Sequence, residues 1–214
     1  MILSGRGCRH PVVFRAGNPG AAFLTPSLVV STSHAQGIGK AIALRLADDG
    51  FDVAVNDVLA NEEKLNSVVK EIKAKGRESS AHLADVSADE EVKKMVAEVV
   101  RMYRGLDVMV ANAGVIKWAL MAETSVEEYD RVMNVNARGT FLCYKYAGIQ
   151  MALQGRGGRI IDPSHSWGMY SAGSAYTPAY VASKFAIRGL TQAAALEFGG
   201  HGITVNAYAP GPIE

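Results

Sequence analysis

Tyr180 and Lys184 stand four residues apart in the run Tyr180-Val181-Ala182-Ser183-Lys184. On a helix that spacing puts both side chains on one face. A phenol alone titrates near pH ~10, too high for easy proton exchange at neutrality. A nearby ammonium stabilises the phenolate and lowers that pKa, so the pair is equipped for acid–base work. Positioned catalysis of this kind is worth roughly 10²–10⁴-fold. A bare Tyr-x-x-x-Lys also reads as a helix-surface pair. Tyr176 competes poorly, because the residue four beyond it is Tyr180.

A second constellation lies near the start. Thr32-Ser33-His34-Ala35-Gln36-Gly37-Ile38-Gly39 falls between an apolar run and an amphipathic one. Glycines there let the backbone approach a pyrophosphate, and a helix N-terminus attracts its charge. Two glycines at a helix start also read as a plain tight turn. Asp57, twenty residues after Gly37, adds position to the argument. An acid after the second strand can accept hydrogen bonds from an adenosine ribose 2′-OH. The same carboxylate repels a 2′-phosphate, so the expected cofactor is NAD rather than NADP.

The elements that must hold these groups alternate between apolar strands and amphipathic helices. Strands are expected at Ser27–Ser31, Asp52–Asn56, Glu78–Leu83, Asp107–Ala111, Arg159–Asp162 and Thr204–Tyr208. Helices are expected at Ile38–Asp49, Glu62–Lys75, Ala88–Tyr103 and Pro178–Phe198, with a long helical stretch toward Gln154. Ser87 with Glu90, and Ser125 with Glu128, have the spacing of capping boxes. No internal repeat or linker divides residues 27–214. Right-handed crossovers make a doubly wound parallel sheet, a single α/β domain, the natural topology.

Composition narrows the function. At 214 residues and 49% hydrophobic, the chain suits one α/β domain with a true core. A net charge of +1 with interspersed signs gives no electrostatic case for nucleic acid or an anionic membrane. No apolar run is long enough to span a bilayer. The five histidines are scattered and the two cysteines form no metal motif, so no metal is expected. Residues 1–26 carry Arg6, Arg9 and Arg15 and no acid, faintly like a transit peptide. Pro11, Pro19 and Pro26 would break an amphipathic helix, which favours an irregular or disordered extension on a cytoplasmic protein.

Gly37-Ile38-Gly39, Asp85-Val86, Asn112-Ala113-Gly114, Asn134-Val135-Asn136, Tyr180-Val181-Ala182-Ser183-Lys184 and Pro210-Gly211 follow one another in the order seen in the short-chain dehydrogenase/reductase family. The chain resembles that family over residues 32–214. The resemblance implies a Rossmann-type domain that binds NAD and transfers hydride. It implies that Lys184 also holds the nicotinamide ribose, while Tyr180 gives or takes the substrate's hydroxyl proton. It places Asp85 and Val86 beside the adenine and Asn112, Ala113 and Gly114 along the cofactor cleft. With Thr32, Ser33, Gln36, Gly37, Ile38, Gly39, Asp57, Pro210 and Gly211, they complete the expected cofactor contacts. Asn136 either supports a proton-relay water or, as an interior helix amide, simply bonds backbone. A homodimer or higher homo-oligomer, through a bundle of helices around Asn136–Gln154 and Pro178–Phe198, is also implied.

The chain departs from the family pattern in three places. Thr32-Ser33 stands where the family has Thr-Gly, so a Cβ enters a tight turn. The family's paired serines after strand five become Asp162-Pro163-Ser164-His165-Ser166-Trp167-Gly168. Counting forward from Ile161 reaches His165 and counting back from Tyr180 reaches Trp167. Ser166, between them, is expected to polarise the substrate carbonyl, with Ser164 as the alternative. A Ser–His–Asp hydrolase built from Asp162, His165 and Ser166 lacks a nucleophile elbow. The chain also stops at Glu214, where family members continue. A truncated product lacking the last strand and helix, with Thr204–Tyr208 as an open edge, is therefore expected.

Arg188-Gly189-Leu190-Thr191-Gln192 and Gly202-Ile203-Thr204-Val205-Asn206 look like acetoin/diacetyl reductases and 2,3-butanediol dehydrogenases. The expected substrate is accordingly a small ketone, diketone or secondary alcohol. The rival readings are a catalytically impaired NAD-binding protein of the same fold and an unstable fragment.

Overall fold

The computed structural model describes residues 28–33, 37–163 and 175–210. Six strands form one parallel sheet: β1 (Leu28–Thr32), β2 (Asp52–Asp57), β3 (Ser79–Leu83), β4 (Val108–Val110), β5 (Gly158–Pro163) and β6 (Ile203–Tyr208). Their order across the sheet is β3-β2-β1-β4-β5-β6. β1 pairs with β2 on one side, Leu28 opposite Asp52, and with β4 on the other, Val30 opposite Met109. β1 and β2 are buried along their whole length, as strands covered on both faces must be. β6 pairs with β5 and, among the described residues, forms the sheet edge.

Helices α1 (Gly37–Asp48) and α2 (Glu62–Ala74) cover one face. On α2 the spacing of Leu65, Val68 and Ile72 makes a single apolar stripe, which packs with Val29, Val53 and Val55 of the sheet. The other face carries α3 (Asp89–Tyr103), α5 (Gly139–Gln154) and α6 (Pro178–Gly199). There Val92, Met95, Val96 and Val99 of α3 join Ala147 and Met151 of α5 and Phe198 of α6. Gly148 lets α5 lie so close to α6 that a Cβ would strike the Phe198 ring. Among the described residues no helix is long and apolar enough to cross a membrane.

The strand ends agree with the sequence expectation to within one or two residues. The helix ends differ in instructive ways. Ser125 caps α4 (Val126–Met133) as expected, its Oγ accepting from the Glu128 amide at 3.2 Å. Ser87 does not cap α3. Its amide and hydroxyl both donate to Asp85 Oδ1 at 2.8 Å, a charged acceptor two residues back. Ala88 takes the cap position without a side-chain bond, and Glu91 instead reaches back to the Asp85 amide at 2.7 Å. The long helical stretch is also interrupted. Asn134–Arg138 forms one wide π turn between α4 and α5, which local spacing does not reveal.

β3 carries a buried histidine. His82 Nε2 lies 2.9 Å from Ser80 Oγ, and Nδ1 lies 3.7 Å from Glu98 Oε2. Burial pushes the imidazole below its ordinary 6.5, against the pull of Glu98. Folding therefore favours neutral His82, and the stability it confers is lost as pH falls below 6.5. The melting-temperature advantage of the parent over His82→Gln should be smaller near about pH 5 than near about pH 7. An advantage independent of pH would show that His82 does not titrate in this range.

Candidate active site

β1 ends in a knot of hydrogen bonds. Thr32 Oγ1 accepts from the Ala113 amide at 3.0 Å. Asn112 Nδ2 donates to the carbonyls of Thr32 and Ser33 at 3.2 and 3.3 Å. The loop after β4 is thereby tied to the turn after β1. Ser33 is left-handed at φ 61°, a conformation that a glycine adopts without the Cβ penalty. Gly39 closes the same knot: a Cβ there would run into the Ser33 carbonyl and reach Asn112 Nδ2 at 2.8 Å.

Two connected clefts run along the carboxyl ends of the strands. The first, about 230 Å³, is lined by Asp57, Asn61, Asp85, Val86 and Val135 among others. Asp57 is held there by the Val58 amide and Asn61 Nδ2, which both donate to Oδ1, at 2.9 and 2.8 Å. Asn56 Nδ2 ties β2 to the end of β3 through the carbonyls of His82 and Ala84, at 3.0 and 2.9 Å. The second cleft, about 400 Å³, is lined by Gly37, Ile38, Gly39, Asn112, Pro210 and the Tyr180–Lys184 pair. Ser33, Gly114 and Val115 line both. An elongated ligand with one polar end at Asp57 and the other at Tyr180 fits this outline. Gly114 borders it closely: a Cβ there would lie 4.0 Å from Lys184 Nζ.

Tyr180 and Lys184 share a face of α6, with Lys184 Nζ 5.5 Å from the Tyr180 ring centre. Lys184 is only 4% exposed. Burial lowers its pKa, and the Asp162 carboxylate works against that. Tyr180 departs from the expectation of a lowered pKa. Burial, followed by the charge of Asp162, pushes it up to about 12. The sequence showed the ammonium four residues away but not the carboxylate brought up by β5.

Asn136 sits fully buried in the π turn. Its Oδ1 accepts from the Val115 amide at 2.8 Å, and Nδ2 donates to the Val115 carbonyl and Ser183 Oγ, both at 2.9 Å. The side chain is thus a bracket between the loop after β4 and α6. Ser183 extends the bracket by donating to the Tyr180 carbonyl at 2.7 Å. These bonds are compatible with both roles open from sequence.

The structure brings Tyr180, Lys184, Asn136, Thr32, Ser33, Gly37, Ile38, Gly39, Asn112, Ala113, Gly114 and Pro210 around one cleft, with Asp57, Asp85 and Val86 at its far end. Ser164, Ser166, Gln36 and Gly211, and the extension 1–26, lie outside the described residues. Sequence reasoning missed Asp162, Thr140 and Ser183. The signal for Asp162 was an acid closing the apolar run Ile160-Ile161, where burial is expected.

Comparison with known proteins accords with this geometry. The family profile described as short chain dehydrogenase matches residues 27–214. The chain belongs to the short-chain dehydrogenase/reductase family. It is 56% identical over 183 residues to a short-chain dehydrogenase/reductase of Armillaria gallica, covering 86% of this chain and 69% of that protein. A 3-oxoacyl-(acyl-carrier-protein) reductase of Staphylococcus aureus is 44% identical over 190 residues, covering 89% of this chain and 75% of the reductase. Among solved structures, NAD⁺-bound xylitol dehydrogenase aligns with TM-score 0.82 and 33% identity, over 87% of this chain and 70% of that one. Acetoin dehydrogenase of Salmonella typhimurium aligns with TM-score 0.82 and 31% identity, over 89% and 74%. The chain is thus a member of an oxidoreductase family, and the nearby proteins named act on several substrate classes.

Two substitutions test the turn after β1. Ser33→Gly should raise stability by about 1 kcal/mol by removing a left-handed Cβ. Gly39→Ala should lower it by about 1–3 kcal/mol, because backbone and not a flexible side-chain end meets the new methyl. Thermal melts of both variants read the two signs. A destabilised Ser33→Gly would mean that the serine is held by a bond worth more than its strain.

Proposed function

We propose that the chain is an NAD-dependent oxidoreductase that reduces a small ketone or diketone, or oxidises the corresponding secondary alcohol. The observation that carries the reading is the continuous cleft from Asp57 to the Tyr180–Lys184 pair. Asp57 supports NAD over NADP, because a carboxylate accepts from a ribose diol and repels a 2′-phosphate. The glycine turn and the start of α1 suit the pyrophosphate. Lys184 and the loop after β4 suit the nicotinamide ribose. When bound, NAD would supply or accept the hydride.

Tyr180 supplies the proton to the carbonyl oxygen as negative charge develops there, and takes it back in the reverse direction. With its pKa raised by burial, Tyr180 carries its proton at neutral pH. That favours reduction, since the acid is already loaded. Oxidation needs the phenolate and should gain from alkaline pH. Ser166, with Ser164 as alternative, is assigned to polarise the carbonyl. The similarity to acetoin dehydrogenase supports a vicinal hydroxyketone or diketone as substrate, and the match to 3-oxoacyl reductases keeps other ketones within the class. A cytoplasmic homodimer is assigned through α5 and α6, where Phe141 and Ile149 are exposed beside a cleft of about 390 Å³.

NADH binding followed by a diacetyl-reduction assay tests the reading. NADH should bind more tightly than NADPH, and Asp57→Ser should narrow the gap; equal affinities in the parent overturn the cofactor assignment. Tyr180→Phe should abolish turnover while sparing NADH binding. From about pH 7 to about pH 9 the oxidation rate should rise while the reduction rate does not. Turnover retained by Tyr180→Phe would remove the tyrosine from the chemistry.

A further inference from the structure

The loop after β4 carries an exposed apolar rim. Within residues 116–121, Ile116, Trp118, Leu120 and Met121 are all exposed, Trp118 by 60% and Met121 by 76%. Backbone bonds hold the loop in that posture. The Leu120 carbonyl accepts from the Glu123 and Thr124 amides at 3.0 and 2.9 Å, and from Thr124 Oγ1 at 2.9 Å. The Ala119 amide donates to the Tyr176 carbonyl at 2.7 Å, and Tyr176 is itself 57% exposed. Single exposed apolar residues are ordinary, but a cluster of them on a braced loop marks a surface that binds something.

Its position narrows the occupant. Ile116 lines the same cleft as Tyr180 and Lys184, so the rim continues that cleft outward. The bond to Tyr176 anchors the rim four residues before Tyr180. A stable protein interface takes roughly 20–30 residues a side, far more than this cluster offers. The rim suits one small molecule whose reacting end lies deeper in the cleft. Charge narrows that molecule further. Lys117, between Ile116 and Trp118, lies 4.0 Å from Glu128, which also holds Arg131 at 3.0 Å. Glu123, Glu127 and Asp130 stand on the same stretch, so acids outnumber bases there. A carboxylate or phosphate on the outer end of a substrate would meet charge of its own sign.

We propose that the substrate's ketone or carbinol is one end of a neutral molecule with an apolar body, and that Ile116, Trp118, Met121 and Tyr176 receive that body at the mouth of the cleft. The proposal rests on the reading of the Tyr180–Lys184 cleft as the site of carbonyl chemistry. It adds what lies beyond the carbonyl: a hydrocarbon ring or chain, rather than a second polar group or an anionic carrier. The carbonyl itself keeps the surroundings already described. Diacetyl would occupy the inner cleft and leave the rim in water. A longer apolar ketone would cover the rim as well and gain affinity in proportion to the area removed from water.

The test reads binding without turnover. Affinities of straight methyl ketones from butanone to octanone are measured by ligand-observed NMR in excess NAD⁺, which cannot reduce them. Affinity should rise roughly three-fold for each added methylene, as each is drawn from water onto the rim. The keto acid of octanone's length, with a terminal carboxylate, should bind about ten-fold more weakly than octanone. Met121→Ser and Trp118→Ser should each cut the octanone-to-butanone ratio by about three-fold or more. Met102→Ser, an exposed apolar side chain on α3, should leave the ratio as it is. A flat series, a keto acid that binds as tightly as octanone, or rim variants that keep the parent ratio would each overturn the proposal. An equal loss in Met102→Ser would show non-specific adsorption and overturn it too. Failure of the functional reading is separable. Turnover retained by Tyr180→Phe would refute the assigned chemistry and leave the affinity series standing, whereas a flat series beside intact diacetyl reduction would refute the rim alone.

Discussion

Everything at the site follows from the central strand being paired in parallel on both sides. Parallel neighbours need crossovers, and crossovers of one hand put α1 and α2 on one face of the sheet. The chain must then return across β1 to build β4, β5 and β6, which puts α3, α5 and α6 on the other. The loops after β1 and β4 leave in opposite directions, and a crevice opens between them at the carboxyl ends. Left unbraced, that crevice would expose strand-end amides and carbonyls to competing water. The cross-bonds of Thr32 and Asn112 fasten its two walls instead. The same bonds hold Ser33 and Gly39 against one another, so the cleft is shaped by backbone and small residues rather than by mobile side chains.

The second constraint is electrostatic. α6 packs against β6, α4 and the π turn, and brings Lys184 with it into a nearly dry setting. A lone ammonium there would shed its proton, because desolvation penalises the charged form. The charge of Asp162, on β5, works against that loss, while burial keeps the Tyr180 phenol protonated. The Asn136–Ser183 bracket fixes the distances at which these charges act. It joins the Val115 backbone to the carbonyl of Tyr180 through two side chains that carry no charge.

The sequence was informative wherever structure depends on neighbours in the chain. Alternating apolar runs located all six strands, and the stripe of Leu65, Val68 and Ile72 fixed which side of α2 faces inward. Ser125 capped α4, its Oγ accepting from the Glu128 amide three residues on. Ser87 did not cap α3 because Asp85, two residues away, offered its hydroxyl a charged acceptor. Beyond the chain neighbourhood the reading weakened. The π turn at Asn134–Arg138 depends on Asn136 finding Val115 and Ser183, partners 21 and 47 residues away. The rise in the Tyr180 pKa comes first from burial in the tertiary fold and then from Asp162, which belongs to β5. The residues that look like acetoin reductases illustrate the opposite case. Arg188–Gln192 lies on α6 and Gly202–Asn206 runs into and along β6, so that likeness concerns the scaffold rather than the cleft around Tyr180.

The order of these constraints explains why the candidate Tyr180–Lys184 pair can be so short a motif. A tyrosine and a lysine four residues apart are a frequent accident on helices and have no chemistry in water. Three tertiary conditions convert them into a candidate acid–base device here. β5 supplies a carboxylate, the π turn supplies an amide bracket to Ser183, and the loop after β4 supplies Gly114 and backbone to the cleft. None is visible in the five-residue motif, and each comes from a segment at least 17 residues away in the chain. The parallel sheet is what brings them together, since it aligns the carboxyl ends of β1, β4 and β5 at one level. The surroundings of Tyr180 are therefore set by tertiary pairing as well as by the residue four positions on, and the register of β4 and β5, Val110 opposite Ile161, fixes where Asp162 falls at the strand ends.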